Sequence, residues 1–158
     1  MTDIPPLRIA HLYISPGHNF FGHHGQPAGE HPMLAQREIV CRAGRGIEGD
    51  RFLDFKEDYK GQITFFERET YDQLCAEFGV WDREPWVFRR NVITAGIELP
   101  SLYGREFEVQ GVRFFGTGES APCRWMNEAF HPDAEDRLKG HGGLRAKILS
   151  DGVLRAGT

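Results

Sequence analysis

The residue of this 158-residue chain best suited to sulfur or metal chemistry is Cys123, in the segment APCRWM. Pro122 is typical of the first turn of a helix, where its missing N–H would have no partner anyway. A thiol at a helix start meets unpaired backbone N–H groups, and Arg124 adds a positive charge, so the thiolate is favoured. A thiolate attacks sulfur or binds a soft metal. Alternatively, Cys123 is a small buried hydrophobic residue, as many free cysteines are.

Basic and polar residues supply a second candidate site, for an anion. Arg89, Arg90 and Asn91 follow one another in FRRNVITAG. An arginine fork binds phosphate through two hydrogen bonds, and asparagine both donates to and accepts from a heterocycle. Arg51 and Lys60 flank a glycine-containing segment that could also approach an anion. The alternative for all five is a solvated surface. The segment GIEGD lacks the Gly-Lys-Ser/Thr of a P-loop, which disfavours nucleotide hydrolysis.

A histidine-rich loop, SPGHNFFGHHGQPAGEHPM, is the third candidate site. Its histidines are His18, His23, His24 and His31. Imidazoles at these spacings could bind zinc or iron as a weaker alternative to the cysteine site, although no pair has helical i, i+4 spacing. The loop could equally pack over the domain, with Phe20 and Phe21 as a lid or as anchors for a partner.

Composition excludes several classes of function. The net charge of −4 argues against nucleic acid as a partner. No apolar run approaches the roughly 20 residues that span a bilayer, and the first residues lack the pattern of a signal peptide. Three widely spaced cysteines indicate a reducing compartment, so we expect a cytoplasmic protein without disulfides. Cys41 and Cys75 lie in apolar patterns that predict core positions. Acidic residues with no assigned role are Glu48, Asp50, Glu67 and Glu119.

The elements that must position these residues are mostly β-strands. The chain contains 19 glycines and 12 phenylalanines, a composition that favours short strands and turns. Predicted strands cover Leu7–Ile14, Leu34–Cys41, Gln62–Phe66 and Val87–Thr94, with hairpins turning at Gln110-Gly111 and Asp151-Gly152. The i, i+3, i+4, i+7 spacing of Tyr71, Leu74, Cys75 and Phe78 predicts a helix over Glu67–Phe78. Shorter helices are predicted over Ala121–Phe130 and Asp133–Leu138. We therefore predict one domain over residues 1–158, mostly β with a few short helices and closed as a barrel, carrying the histidine-rich loop at 15–33.

Several segments in their order resemble the MOSC domain, the C-terminal domain of molybdenum cofactor sulfurases. These segments are GIEGDRF, KGQITFFERETYDQL, RRNVITAGIELPSLYGREFEVQGVRF, APCRWM and GHGGLRAKILSDGVLRAG. The resemblance covers about residues 38–157 and extends to the histidine-rich loop of small bacterial members. It implies a β-barrel resembling the pyruvate kinase barrel domain. It also implies a pocket for the molybdenum cofactor, molybdopterin.

The resemblance further implies roles for individual residues. Cys123 matches the cysteine that ligates molybdenum or carries sulfur as a persulfide. Arg89 and Asn91 match cofactor contacts, and Arg51 matches a phosphate contact. Members of the family reduce N-hydroxylated compounds or deliver sulfur. This chain is too short for the sulfurase's PLP-dependent domain and lacks a set of cysteines for an iron–sulfur cluster. It would therefore need a separate cysteine desulfurase or electron-transfer protein. A ligand-binding module without redox turnover and a partner-binding subunit remain as alternatives.

Overall fold

The chain folds mainly into β-strands. This computed structural model describes residues 7–16 and 33–157. Within those ranges the strands are β1 Arg8–Ile14, β2 Leu34–Gln36, β3 Glu38–Arg42, β4 Gly46–Ile47, β5 Ile63–Glu67, β6 Val92–Ala95, β7 Glu106–Val109, β8 Val112–Glu119, β9 Leu144–Ile148 and β10 Gly152–Arg155. The α-helices are α1 Arg68–Phe78, α2 Trp125–Ala129 and α3 Ala134–Leu138, and the 3-10 helices are Pro85–Phe88 and Leu99–Leu102. The predicted fold class, mostly β with a few short helices, is confirmed. None of these helices is long and apolar enough to cross a membrane.

The strands form two sheets. Seven strands are ordered β2-β1-β6-β5-β9-β8-β7, and three are ordered β10-β3-β4. Strands β5 and β6 pair in parallel, while the other pairs are antiparallel. The strand pairs of the described ranges do not close either sheet on itself. The barrel therefore stays a prediction.

Strand β5 divides the core into two layers. Phe65 packs edge-on against Phe114, with ring centroids 5.5 Å apart, in a cluster that draws residues from both sheets. Phe66 points the other way, into a cluster with Leu74 of α1 and Phe130 after α2. This alternation follows from the two-residue period of a strand. The seven-stranded sheet is thus covered by the small sheet on one face and by the helices on the other.

The helix prediction is confirmed with a one-residue difference at its start. Helix α1 begins at Arg68 and ends at Phe78, and the next residue, Gly79, has a φ of 66°, the left-handed conformation typical of a helix C-terminus. The carboxylates of Glu67 and Glu69 accept hydrogen bonds from the backbone N–H groups of Leu99 and Gly96, at 2.9 and 2.8 Å. These acidic residues therefore tie the helix start to the segment that follows β6.

The single strand predicted for Leu34–Cys41 is two strands in different sheets. Strand β2 pairs with β1, while β3 pairs with β10 and β4. The break falls at Arg37, whose backbone carbonyl accepts the N–H of Ala156 at 2.9 Å. The break lies within the polar run Gln36, Arg37 and Glu38, which separates the apolar residues of the two strands.

One predicted hairpin is confirmed and the other is wrong. Gln110 and Gly111 have φ values of 51° and 83°, the positive pair that a type I′ turn needs between β7 and β8. Asp151 and Gly152 have no positive φ, and β10 pairs with β3 instead of β9. The Asp151 carboxylate accepts the backbone N–H of Ala43 at 2.7 Å, which directs the chain to the small sheet.

Candidate functional site

A tight turn carries Arg89, Arg90 and Asn91. The strand predicted for Val87–Thr94 begins only at β6, because a 3-10 helix ends at Phe88 and Arg89 adopts a left-handed conformation with φ 58°. All three side chains are buried, with residue exposures of 7%, 8% and 2%. The alternative of a solvated strand end is therefore wrong.

The buried carboxylate of Asp50 organises the neighbourhood of this turn. It accepts the backbone N–H of Ser15 at 2.9 Å and that of Phe52 at 3.3 Å. Asn91 donates its side-chain N–H to the same carboxylate at 3.4 Å, and Arg51 lies 3.7 Å from it. Because the side chain of Asp50 is fully shielded from solvent, these contacts replace the water that its charge would otherwise require.

Arg51 lies beside Asp50 with only 9% of its side chain exposed. Its Nη2 is 3.5 Å from the backbone carbonyl of Arg89, and its Nη1 is 3.6 Å from the sulfur of Met33. The guanidinium carbon lies 4.7 Å from the centre of the Phe52 ring. Its Nε is buried and has no hydrogen-bond acceptor in the described part of the chain. A buried donor in this state favours an acceptor such as an anion.

Arg89 brings a second guanidinium group to the same place. Its Nη2 donates to the hydroxyl of Ser15 at 3.1 Å. Burial, followed by repulsion from Arg51, lowers the pKa of Arg89 to about 10, while attraction to Asp50 and Cys123 opposes that shift. The group is still charged at neutral pH. The site therefore holds two positive charges, those of Arg51 and Arg89.

Arg90 is the third buried guanidinium, and backbone carbonyls surround it. Burial lowers the pKa of Arg90 to about 10, while attraction to Cys123 opposes that shift and repulsion from Arg51 adds to it. Attraction to Asp50 acts on Arg51 and Arg89, and attraction to the partly buried Glu119 acts on Arg90. We call Arg51, Arg89 and Arg90, together with Asp50, the arginine cluster. Its excess of positive charge favours an anionic ligand.

Cys123 is exposed and follows the loop that Arg90 contacts. The helix predicted for Ala121–Phe130 starts only at Trp125, and the backbone carbonyl of Cys123 accepts the N–H of Met126 at 3.0 Å. Cys123 therefore precedes a short helix, and the arginine cluster supplies the buried positive charge near it. The alternative of a buried hydrophobic residue is wrong for this cysteine.

The other two cysteines occupy the core, as their apolar patterns predict. Cys41 is fully buried in the cluster between the sheets, and burial raises the pKa of its thiol to about 12. Cys75 is 3% exposed on the inner face of α1, and burial is also the main cause of its raised pKa. Cys123 is thus the exposed thiol among the three cysteines.

Several candidate residues are not brought into the arginine cluster. Lys60 and Arg124 are exposed, and in the described ranges no hydrogen bond or ion pair joins their side chains to it. The four histidines of the third candidate site, and Phe20 and Phe21, lie outside the described residues. Within the described part of the chain, no group of three or more His, Cys, Asp or Glu residues is placed to hold a metal ion.

Sequence reasoning missed the residues that support the site from a distance. Ser15 joins Asp50 and Arg89, and it directly follows β1, far from both in sequence. Asn91 is held by Thr64, whose backbone N–H donates to the asparagine oxygen at 3.0 Å. In the sequence Asp50 is only one of the acidic residues without an assigned role. No local pattern indicates Ser15 or Thr64, because their partners lie in segments that are distant in sequence.

Comparisons with known proteins agree with this fold. The structure of the YuaD protein from Bacillus subtilis superposes with a TM-score of 0.70 at 19% identity, covering 98% of this chain and 95% of that one. YiiM from Geobacillus stearothermophilus gives 0.69 at 14%, covering 96% and 72%. YiiM from Escherichia coli gives 0.61 at 17%, covering 98% and 66%. At these identities the likeness shows the fold alone. No curated protein matches the sequence. The MOSC domain model matches residues 22–158, so the chain belongs to the MOSC domain family.

Proposed function

We propose that this protein binds the molybdenum cofactor with Cys123 directed at the metal and the arginine cluster at the phosphate. The observation that carries the proposal is a buried excess of positive charge beside an exposed thiol. The MOSC domain family is associated with this cofactor. The cofactor supplies a phosphate with nearly two negative charges and a redox-active metal that accepts sulfur ligands.

The residues of the site fit such a ligand chemically. Arg51 has a buried Nε without an acceptor in the described part of the chain, and a phosphate oxygen would satisfy it. Two neighbouring guanidinium groups, those of Arg51 and Arg89, repel each other although Asp50 lies beside them, and a bound anion would reduce that repulsion further. Each charge-assisted hydrogen bond to the phosphate would contribute about 1.5–3 kcal/mol. The thiol of Cys123 is a soft donor, as molybdenum ligation or persulfide transfer requires.

The neighbouring polar residues would orient the site and hold it in place. Asn91 uses its side-chain N–H groups on the carbonyl of Tyr13, at 3.2 Å, and on Asp50. Its oxygen accepts from the N–H and the hydroxyl of Thr64. In our proposal Asn91 therefore does not contact the cofactor directly and instead holds Asp50, which lies beside the cofactor-binding arginines. Lys60 and Arg124 are exposed, so in our proposal they would contact the cofactor only at the solvent-facing edge of the site.

Cys123 has two uses within this proposal. As a metal ligand it would serve the reduction of N-hydroxylated compounds, with electrons from a separate electron-transfer protein. As a persulfide it would deliver sulfur received from a cysteine desulfurase. Its exposure supports both uses, since either requires a ligand or a partner to reach the thiol.

Replacing Cys123 by alanine should lower the molybdenum content of protein from molybdate-supplied cells by at least about tenfold, because a metal ligand is lost. Arg89→Gln should instead lower the bound pterin, since it removes a phosphate contact. Metal analysis and pterin fluorescence of the purified proteins measure both. Cys75→Ala, which removes a core thiol, serves as the matched control and should keep both contents. Negligible molybdenum in the wild type and in every variant would refute cofactor binding.

The two uses of Cys123 are separated by mass spectrometry of the intact protein. After incubation with a cysteine desulfurase and cysteine, a sulfur carrier gains one sulfur atom on Cys123, and Cys123→Ala gains none. Sulfur spread equally over Cys41 and Cys75 would contradict the carrier role. Bound molybdenum without such an adduct would assign Cys123 to metal ligation.

A further inference from the structure

Arg90 makes four hydrogen bonds to four backbone carbonyls. Its Nε donates to Gly142 at 3.0 Å and its Nη1 to Phe88 at 3.1 Å. Its Nη2 donates to Ser120 at 3.0 Å and to Ala121 at 3.2 Å. One guanidinium group therefore connects three segments that are distant in sequence: the arginine turn, the loop before Cys123 and the segment before β9.

These contacts distinguish Arg90 from the other two arginines of the cluster. Arg51 keeps a buried N–H without an acceptor in the described part of the chain, whereas the N–H groups of Arg90 donate to backbone carbonyls. Carbonyl groups satisfy its N–H groups but bring no full negative charge, so burying this cation costs free energy. The useful consequence is geometric, because Ala121 lies only two residues before Cys123.

The loop before Cys123 has little freedom around this contact. A Cβ atom added to Gly142 would lie 2.3 Å from the carbonyl oxygen of Ser120 and 2.7 Å from the side chain of Pro122. The backbone N–H of Ser120 also donates to the carbonyl of Gly143 at 2.9 Å. The backbone of Gly142 and Gly143 and the guanidinium of Arg90 therefore both contact this loop and restrict its movement.

We infer that Arg90 is a positioning residue that fastens the loop of Ser120 and Ala121 so that Cys123 stays beside the arginine cluster. Its planar fork reaches carbonyls in several directions at once, which a lysine ammonium group on a flexible stem cannot reproduce. The value of this position for chemistry rests on the function proposed above. The fastening itself does not, because it requires no bound cofactor.

Arg90→Gln tests the inference by amide hydrogen exchange. Loss of the contacts to Ser120 and Ala121 should make the amide of Ser120, whose N–H donates to the carbonyl of Gly143, exchange about 10- to 100-fold faster, while the β5 amides keep their rates. A nitroxide attached to Cys123 supplies a spectroscopic signature, because its spectrum should narrow as the loop gains motion. Arg90→Lys keeps the charge and some of the contacts, so it should show the faster exchange and the narrower spectrum to a smaller extent than Arg90→Gln.

Leu138→Ala is the matched control for a general loss of stability. Leu138 is fully buried in the helix layer, so its loss should destabilise the whole protein and leave the label spectrum unchanged. An unchanged spectrum and unchanged exchange in Arg90→Gln would overturn the inference. So would an equal narrowing in Leu138→Ala.

If Arg90→Gln does not fold, Arg90→Lys carries the test, and a wild-type spectrum and wild-type exchange in that variant would overturn the inference. If the loop becomes mobile in Arg90→Gln but the wild-type protein never binds molybdenum, the positioning role of Arg90 stands and only the proposed cofactor binding is rejected.

Discussion

Replacing Asp50 by asparagine should lower the free energy of unfolding by about 3–5 kcal/mol, the usual result of removing one partner from a buried ion pair. The substitution keeps the shape of the side chain but leaves Arg51 and Arg89 without their buried carboxylate. It also introduces an amide N–H group where the backbone N–H groups of Ser15 and Phe52 need an acceptor. Urea denaturation followed by tryptophan fluorescence measures the loss.

A second measurement links this loss to anion binding. Inorganic phosphate should recover more stability in Asp50→Asn than in the wild type, because an anion replaces the missing negative charge. Glu48→Gln is a suitable control, since Glu48 is half exposed and paired with Arg42 at the surface. That variant should lose less than about 1 kcal/mol. Wild-type stability in Asp50→Asn would contradict the central place of Asp50 in the cluster.

Replacing Gly142 by alanine should displace Cys123 without unfolding the protein. The added methyl group would overlap the carbonyl oxygen of Ser120 and the ring of Pro122, so the loop must move. Overpacking of this kind costs about 1–3 kcal/mol. We expect less molybdenum and faster exchange of the loop amides than in the wild type.

Gly140→Ala separates this clash from backbone strain. A Cβ atom at Gly140 meets nothing within 4 Å, although its φ of 85° is unfavourable for alanine. It should therefore cost about 1–2 kcal/mol and leave the loop of Cys123 in place. Equal molybdenum contents in Gly142→Ala and the wild type would show that the loop accommodates the methyl group without moving the thiol.

Local patterns predicted the elements whose signals are contained within a few residues. Helix α1 carries its apolar period and its terminal Gly79, and the Gln110-Gly111 turn carries the residues that accept positive φ. Asp151-Gly152 has a similar composition but joins two sheets, because its partners lie near Ala43. Such pairings depend on tertiary packing, which a sequence window does not contain.

The candidate site was only partly predictable for the same reason. The residue types made Arg51, Arg89 and Asn91 candidates, the family resemblance implied their roles, and the structure brings them together around Asp50. The start of α2 was placed too early, since Pro122 suits a helix start but Cys123 precedes one. The role inferred for Arg90 depends on carbonyl groups from distant segments, which residue types do not reveal.

The pairing of β10 with β3 has a consequence for synthesis of the protein in the cell. The contact between Ala43 and Asp151 spans 108 residues, so the small sheet needs nearly the whole described chain before it can form. The inner core, which includes Ile39 and Leu154, therefore stays open until β10 has been synthesised. We expect folding to be slow for this reason, with phenylalanine-rich strands exposed to aggregation until the small sheet forms.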